Sequence, residues 1–307
     1  MTRVAVIGAG SFGKNHVRVV RESARADLAF VVDSDPARAS TSDYRDLIGH
    51  VDAAILAVPT VLHAEIGCAL LEAGIDVLVE KPIAPTLEEA SQLVGAAERN
   101  SRILQVGHLE RFNPAVIALE LAATLPLFFE IHRMSVFTLR SLDVDVVLDL
   151  MIHDLDIVLA LARAELKDIR AAGISVLSPK VDIANVRLEF EDGCIANLTA
   201  SRVSTEKVRK LRLFQPKQYI SIDYAKQSAA IFTVGGPQGI AFDQLPVEPA
   251  EPLKLQFDAF LDAVENRTPP KLNGATARKT LEIALAVLDK IKEHAGVVEK
   301  TLSGWKP

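Results

Sequence analysis

The sequence predicts an α/β protein, with an N-terminal doubly wound parallel sheet followed by an α+β domain built on a mainly antiparallel sheet. Three observations carry this prediction. The first is Val4-Ala5-Val6-Ile7 running straight into Gly8-Ala9-Gly10-Ser11-Phe12-Gly13, with an acid, Asp33, twenty residues after the last glycine. The second is the alternation of short apolar runs with helical periods over residues 1 to 120, the pattern of a parallel sheet covered on both faces. The third is a change of texture beyond residue 120 to longer extended segments. Among them Val186-Arg187-Leu188-Glu189-Phe190 alternates as a sheet with one wet face requires.

In chain order, apolar runs predict strands at 3–7, 27–32, 53–58, 76–80 and 103–106. Helical periods follow Gly13 and recur at 62–73 and 86–100, the former closed by Gly74 as a helix C-terminus should be. Beyond residue 120, extended segments are read at 128–135, 181–190, 195–201, 208–214 and 219–224, interrupted by one long apolar helix over 146–162. A Pro-rich tract at 246–252 leads to two closing helices at 253–266 and 275–294. The expected domains are therefore 1–120 and 121–307, joined by a crossover rather than a floppy linker.

A chain of 307 residues is long enough for about two domains with sizeable cores. Its net charge of -6 supplies no global basic field for a nucleic acid or an anionic membrane, so neither is an expected partner. The two cysteines, Cys68 and Cys194, are isolated from each other and from any histidine cluster, which suggests neither a disulfide framework nor a metal site. A reducing cytoplasm is the expected location. With the first strand read at 3–7 and the apolar stretches broken by Pro59, acids or glycine, neither a cleavable signal nor a membrane span is expected.

Each position of the glycine motif has a physical reason. Gly8 permits a tight turn out of the strand, Gly10 lets backbone approach a pyrophosphate, and Gly13 lets the next helix pack against the sheet. That helix would aim its N-terminal amides and dipole at the phosphates. Asp33, ending Ala29-Phe30-Val31-Val32-Asp33, can accept hydrogen bonds from both ribose hydroxyls and would repel a 2′-phosphate. The motif thus reads as a Rossmann site for NAD in preference to NADP, with some use of NADP left open.

Other candidates lie at strand ends, where open α/β sheets bind ligands. Glu80-Lys81-Pro82 follows the fourth strand and puts Lys81 at the cofactor crevice; the competing reading is a solvated loop lysine. His16 and His63 lie near the expected cofactor. Gly107-His108-Leu109-Glu110-Arg111-Phe112-Asn113-Pro114 follows the fifth strand, so His108, Arg111 and Asn113 are candidates for cofactor or substrate contact. On the apolar helix, Asp149, His153 and Asp156 are spaced by four and three residues and share one face. Burying them is costly unless they pair or work, and the carboxylate could support His153 as a general base. Arg133 and Arg140 are candidate phosphate clamps, since a guanidinium grips phosphate bidentately; the competing reading is two surface arginines.

This combination resembles the glucose-fructose oxidoreductase, inositol dehydrogenase and MocA superfamily over essentially the full chain. The likeness rests on the glycine motif, Ala57-Val58-Pro59-Thr60, Glu80-Lys81-Pro82 and the helix at 149–156. Within it, 106–114 and 147–156 are similar to the UDP-N-acetylglucosamine 3-dehydrogenase branch, and 212–226 is so by position. Many relatives carry paired glycines shortly before the helix acid, where this chain has Asp143-Val144-Asp145-Val146-Val147.

The resemblance implies an open antiparallel sheet in the second domain, a homodimer or homotetramer, and a cis bond at Lys81-Pro82. It implies Lys81 and His153 as an acid-base pair with Asp149 in support. It also implies cofactor contacts at Gly8, Gly10, Ser11, Phe12, Gly13, Asp33, Val58, Pro59, Thr60, His63, Glu80, Lys81 and His108. Substrate contacts are expected at Lys81, Arg111, Asn113, Arg133, Arg140, Asp149 and His153. The implied reaction is oxidation of a UDP-sugar hydroxyl, with a pathway aminotransferase acting on the ketone. The alternatives are a dehydrogenase of a free sugar, inositol or other polyol, and a non-enzymatic sensor of NAD.

Overall fold

The computed structural model describes residues 1–138, 144–235 and 239–304. Among the described residues the strands are β1 Thr2–Ile7, β2 Ala26–Val32, β3 Ala53–Leu56, β4 Asp76–Glu80, β5 Leu104–Gly107, β6 Phe128–Val136, β7 Leu166–Ile174, β8 Ile183–Phe190, β9 Ile195–Ser204, β10 Val208–Gln215, β11 Gln218–Asp223, β12 Ser228–Val234 and β13 Ile240–Leu245. The α-helices among them are α1 Gly13–Glu22, α2 His63–Glu72, α3 Leu87–Arg99, α4 Pro114–Ala122, α5 Ile152–Leu161, α6 Pro252–Asn266 and α7 Gly274–Gly304.

They form two compact units, one of residues 1–112 and 251–281, the other of 113–250 and 282–307. The expected contiguous division at 120/121 differs from this. α6 and the start of α7 return to the first unit, because α6 buries Leu253, Phe257, Phe260 and Leu261 with Val4, Val6 and Ile55 of the parallel sheet.

The first unit is a five-stranded parallel sheet in the order β2-β1-β3-β4-β5. α1 and α6 cover one face, while α2 and α3 pack together, Gly67 of α2 lying against Leu93 of α3 and Leu56 of β3. The sheet is doubly wound, as the apolar runs predict. Thr86 caps α3, its Oγ1 accepting from the Glu89 amide at 3.2 Å, and Arg267 in the left-handed region (φ 53°) closes α6.

The second unit is an eight-stranded sheet in the order β13-β12-β11-β10-β6-β9-β8-β7, antiparallel except for the β6–β9 pair. Its buried face carries Phe129, Ile131, Val186, Leu198, Leu213 and Ile220 under α4, α5 and the later turns of α7. The opposite face carries a ladder of directly paired rings, Phe214, Tyr219, Phe232 and Phe242, with Tyr219 and Phe232 stacked 4.2 Å apart. Such cross-strand pairs help hold β12 and β13 in register, while Ala229, Ile231 and Leu245 on the other face pack toward the core. Among the described residues no helix is long and apolar enough to cross a membrane.

Three differences from the sequence reading have local causes. Residues 114–122 form α4, because Asn113 Oδ1 accepts from the Ala115 amide at 3.1 Å and Pro114 opens the first turn. β7, β12 and β13 were not expected; they lie at or next to the two edges of the large sheet, where few residues are fully buried on either face and the apolar alternation that burial of one face imposes is weak. The helix expected over 146–162 opens with a π turn at Val147–Met151 before α5.

One buried carboxylate anchors the approach to that turn. Asp182 accepts hydrogen bonds from the amides of Val176, Leu177 and Ser178 at 2.7, 2.6 and 2.9 Å, from Ser178 Oγ at 2.6 Å, and from Arg202 Nε at 2.7 Å. Arg202 also donates to the Val144 carbonyl at 2.7 Å. Burial pushes the Asp182 carboxyl up, but the Ser178 and Arg202 hydrogen bonds and the amides outweigh it and hold its pKa far below the ordinary carboxylate range. Because the folded pKa is depressed, this stabilisation is complete above the unfolded value near ~3.9 and is lost only as pH falls below it. Asp182→Asn should therefore cost about 3–5 kcal/mol at neutral pH, leaving Arg202 buried without its counter-charge. Denaturant unfolding of both proteins measures it, and the difference should shrink below pH 4 or so.

Candidate active site

In the first unit the glycine turn is sterically closed on one side and open on the other. Gly8 has φ +88°, and a Cβ there would lie 2.6 Å from the Ala57 carbonyl oxygen. A Cβ on Gly13 would lie 1.7 Å from the Gly8 carbonyl oxygen, so α1 can begin there only with glycine. At Gly10 nothing lies within 4 Å, which leaves the space a pyrophosphate needs. Ser11 and Phe12 form the exposed crest of the turn.

Asp33 is tied to this turn. Its Oδ2 accepts from the Ala9 amide at 2.6 Å and its Oδ1 from the Asp35 amide at 2.9 Å. The Asp35 amide first, then the Ala9 amide, Arg38 and Ser34, hold its pKa below the ordinary carboxylate range against partial burial. An ionised, oriented carboxylate beside an open glycine turn suits a dinucleotide ribose and pyrophosphate. The residues present therefore fit NAD.

The next strand ends converge through His63. Val58, Pro59 and Thr60 follow β3, and the buried His63 ring has Nε2 3.1 Å from the Val58 carbonyl. Its Nδ1 lies 3.1 and 3.3 Å from the Pro82 and Ile83 carbonyls. Burial pushes the His63 pKa down, with the carbonyl contacts opposing. His63, expected as a cofactor contact, is instead a strut that joins the loop after β3 to the loop after β4.

Lys81 is half-buried at the end of β4, and its bond to Pro82 is cis, as the resemblance implies. The Lys81 amide donates to Glu80 Oε2 at 3.3 Å. His108, Arg111 and Asn113 are buried rather than arrayed on an open loop. The Arg111 carbonyl accepts from Lys271 Nζ at 3.0 Å.

In the second unit Asp149 lies in the π turn and His153 in the first turn of α5, both half-buried, while Asp154 and Asp156 are fully buried. The four-residue spacing of Asp149 and His153 thus spans a π–α junction, a feature common at functional sites. Arg133, expected as a phosphate clamp, is 3 % exposed and holds Asp154 bidentately, Nε to Oδ2 at 2.7 Å and Nη2 to Oδ1 at 2.8 Å. Tyr224 donates to the same carboxylate at 3.1 Å, and its ring lies 4.9 Å from the Arg133 guanidinium.

That corrects the expectation for Arg133: an unpaired buried charge is costly, and Asp154 supplies the partner. Asn113 is likewise structural, capping α4 and donating to the Tyr224 carbonyl at 3.0 Å. Arg140 lies outside the described residues.

Comparison with known proteins identifies the family. A model of an oxidoreductase family with an NAD-binding Rossmann fold matches residues 2–108, and a C-terminal domain model of the same family matches 128–220. The UDP-N-acetylglucosamine 3-dehydrogenase of Acidithiobacillus ferrooxidans is 34 % identical over 93 % of this chain and 96 % of its own length. A solved structure of that enzyme superposes with a TM-score of 0.90 at 32 % identity, covering 95 % of this chain and 98 % of that one. An inositol 2-dehydrogenase from Acidothermus cellulolyticus is 32 % identical over 55 % of this chain and 56 % of its own length. The chain is therefore an NAD(P)-dependent dehydrogenase of the glucose-fructose oxidoreductase, inositol dehydrogenase and MocA family.

Proposed function

We propose that this enzyme oxidises a secondary hydroxyl of a nucleotide sugar, namely carbon 3 of UDP-N-acetylglucosamine. The observation that carries the reading is likeness to a UDP-N-acetylglucosamine 3-dehydrogenase along nearly the whole of both chains, against about half of each for the inositol 2-dehydrogenase. That second likeness supports the alternative of a free polyol. The sensor alternative loses ground, because the named relatives are dehydrogenases.

In this reading His153 takes the hydroxyl proton and Asp149 supports the charged imidazole. Lys81 holds the same oxygen and stabilises negative charge developing on it. The two could exchange roles, since both need the same reach. When bound, NAD supplies the nicotinamide that accepts the hydride from the ring carbon. Asp33 and the glycine turn would hold its ribose and pyrophosphate. With Arg133 and Asn113 assigned to the framework, Arg111 remains as a substrate-side candidate. An aminotransferase consuming the ketone, a cytoplasmic location and a homodimeric or homotetrameric state complete the proposal.

The test is absorbance of NADH formed from NAD with UDP-N-acetylglucosamine, UDP-glucose, glucose and myo-inositol offered in parallel. Turnover of the acetamido sugar nucleotide is expected; activity on myo-inositol alone would transfer the assignment to the polyol reading. Lys81→Ala and His153→Ala should each lower kcat by about 10²–10⁴-fold with NAD affinity nearly unchanged. Near-normal turnover in His153→Ala would remove that residue from the mechanism. Asp33→Ala should weaken NAD about 10- to 100-fold, as loss of charge-assisted hydrogen bonds does, and narrow the preference over NADP in a binding titration.

A further inference from the structure

A second buried histidine, besides His63, contacts the residue that precedes Lys81. His16 sits on α1, one turn after the glycine motif, and is 0 % exposed. Its Nε2 lies 2.8 Å from Glu80 Oε1, and its ring meets the Phe12 ring edge-on at 5.4 Å. Nδ1 is buried with no hydrogen-bond partner among the described residues. These contacts assign the tautomer. With its proton on Nε2 the imidazole donates to the carboxylate and leaves only an unused lone pair at Nδ1. The opposite tautomer would set a lone pair against a carboxylate oxygen and bury an orphan N–H.

The Glu80 carboxylate is confined from two further directions. Its Oε2 accepts the Lys81 amide at 3.3 Å. Across the sheet, β4 pairs with β5 so that Glu80 faces Gly107, where a Cβ would lie 2.8–2.9 Å from both carboxylate oxygens and their carbon. Nothing larger than glycine fits at 107 without moving that carboxylate. Helix α1, the end of β5 and the Lys81 backbone thus converge on one side chain, and none of these contacts belongs to the glycine motif itself.

We propose that His16 is a positioning residue for Lys81. By donating to Glu80 it orients the carboxylate that receives the Lys81 amide, and so sets the strand-end geometry from which the Lys81 ammonium reaches the reacting oxygen. The proposal rests on the role given to Lys81 above. It is also a specific link between the cofactor turn and the proton-transfer side chain, because His16 belongs to the helix that the glycine turn launches.

The experiment compares His16→Leu, His16→Gln and Gly107→Ala with wild type. Glutamine can present an N–H where His16 Nε2 stands, leucine cannot, and Gly107→Ala displaces the carboxylate without touching His16. Two readouts are taken on each folded variant: kcat and KM for the sugar turned over by wild type, and the NMR signal of 13C-methylated Lys81, assigned with Lys81→Arg. The expected result is a kcat about 10- to 100-fold lower in His16→Leu and Gly107→Ala with KM for sugar and NAD little changed, the size of loss that a misplaced reacting group produces. His16→Gln should recover to within a few-fold, and the Lys81 signal should shift in the two impaired variants only.

Wild-type kcat in His16→Leu, or a Lys81 signal unmoved in both His16→Leu and Gly107→Ala, overturns the proposal. A kcat loss that His16→Gln fails to recover, with NAD affinity falling in parallel, would reduce His16 to a packing residue of α1. Should no offered sugar be turned over, the substrate reading fails while the Lys81 signal still decides the role of His16.

Discussion

Among the described glycines the tightest constraint is the contact of Gly13 with the carbonyl of Gly8, where even a methyl group would lie 1.7 Å from the oxygen. Everything on the cofactor side depends on it. α1 can start against the end of β1 only because that space is empty, and its start places His16 inside the sheet's cover next to Glu80. The same turn presents the Ala9 amide to Asp33, so the acid that would recognise the ribose is oriented by the loop that would hold the pyrophosphate. A single hydrogen bond thus couples the position of the carboxylate to that of the turn.

Each unit carries buried polar side chains, and their partners explain why they are tolerated. His63 ties two strand-end loops together through carbonyls, and His16 restrains the carboxylate between them and the next strand. In the second unit Arg133, Asp154 and Tyr224 form one network and Asp182 with Arg202 another. The first network holds the residue after His153, and the second holds the chain just before the π turn that bears Asp149. Buried charges of this kind cost desolvation and return it as geometric definition only when every partner is present. That two such networks bracket the proposed proton-transfer residues is consistent with a segment whose orientation matters more than its packing energy.

Part of this was legible in the sequence. The glycine turn, Asp33, the five parallel strands and the Glu-Lys-Pro loop follow from spacing alone, since each depends on neighbours within one βαβ unit. The acid and histidine at 149 and 153 were legible as chemistry in an apolar helix, but the π turn between them was not, because no local propensity marks where a helix takes an extra residue. Arg133 read as a clamp because its partner lies 21 residues away on another element. Asn113 read as a ligand because the pattern that caps a helix and the pattern of a polar functional loop look alike until the helix is seen.

The sequence by itself determined the parallel sheet, the glycine turn at which a cofactor is expected and the residue types proposed for proton transfer, all set by covalent neighbourhood and by backbone conformations that only glycine or proline admits. Only the tertiary structure decided which polar groups are buried against partners, as Arg133 is against Asp154. It also returned α6 to the first unit, where its apolar face finds the sheet. The physical reason is common to both: the cost of burying a charge or an apolar face is met by a partner, and that partner, such as Glu80 for His16 across 64 residues, is chosen by the fold and not by the chain's local order.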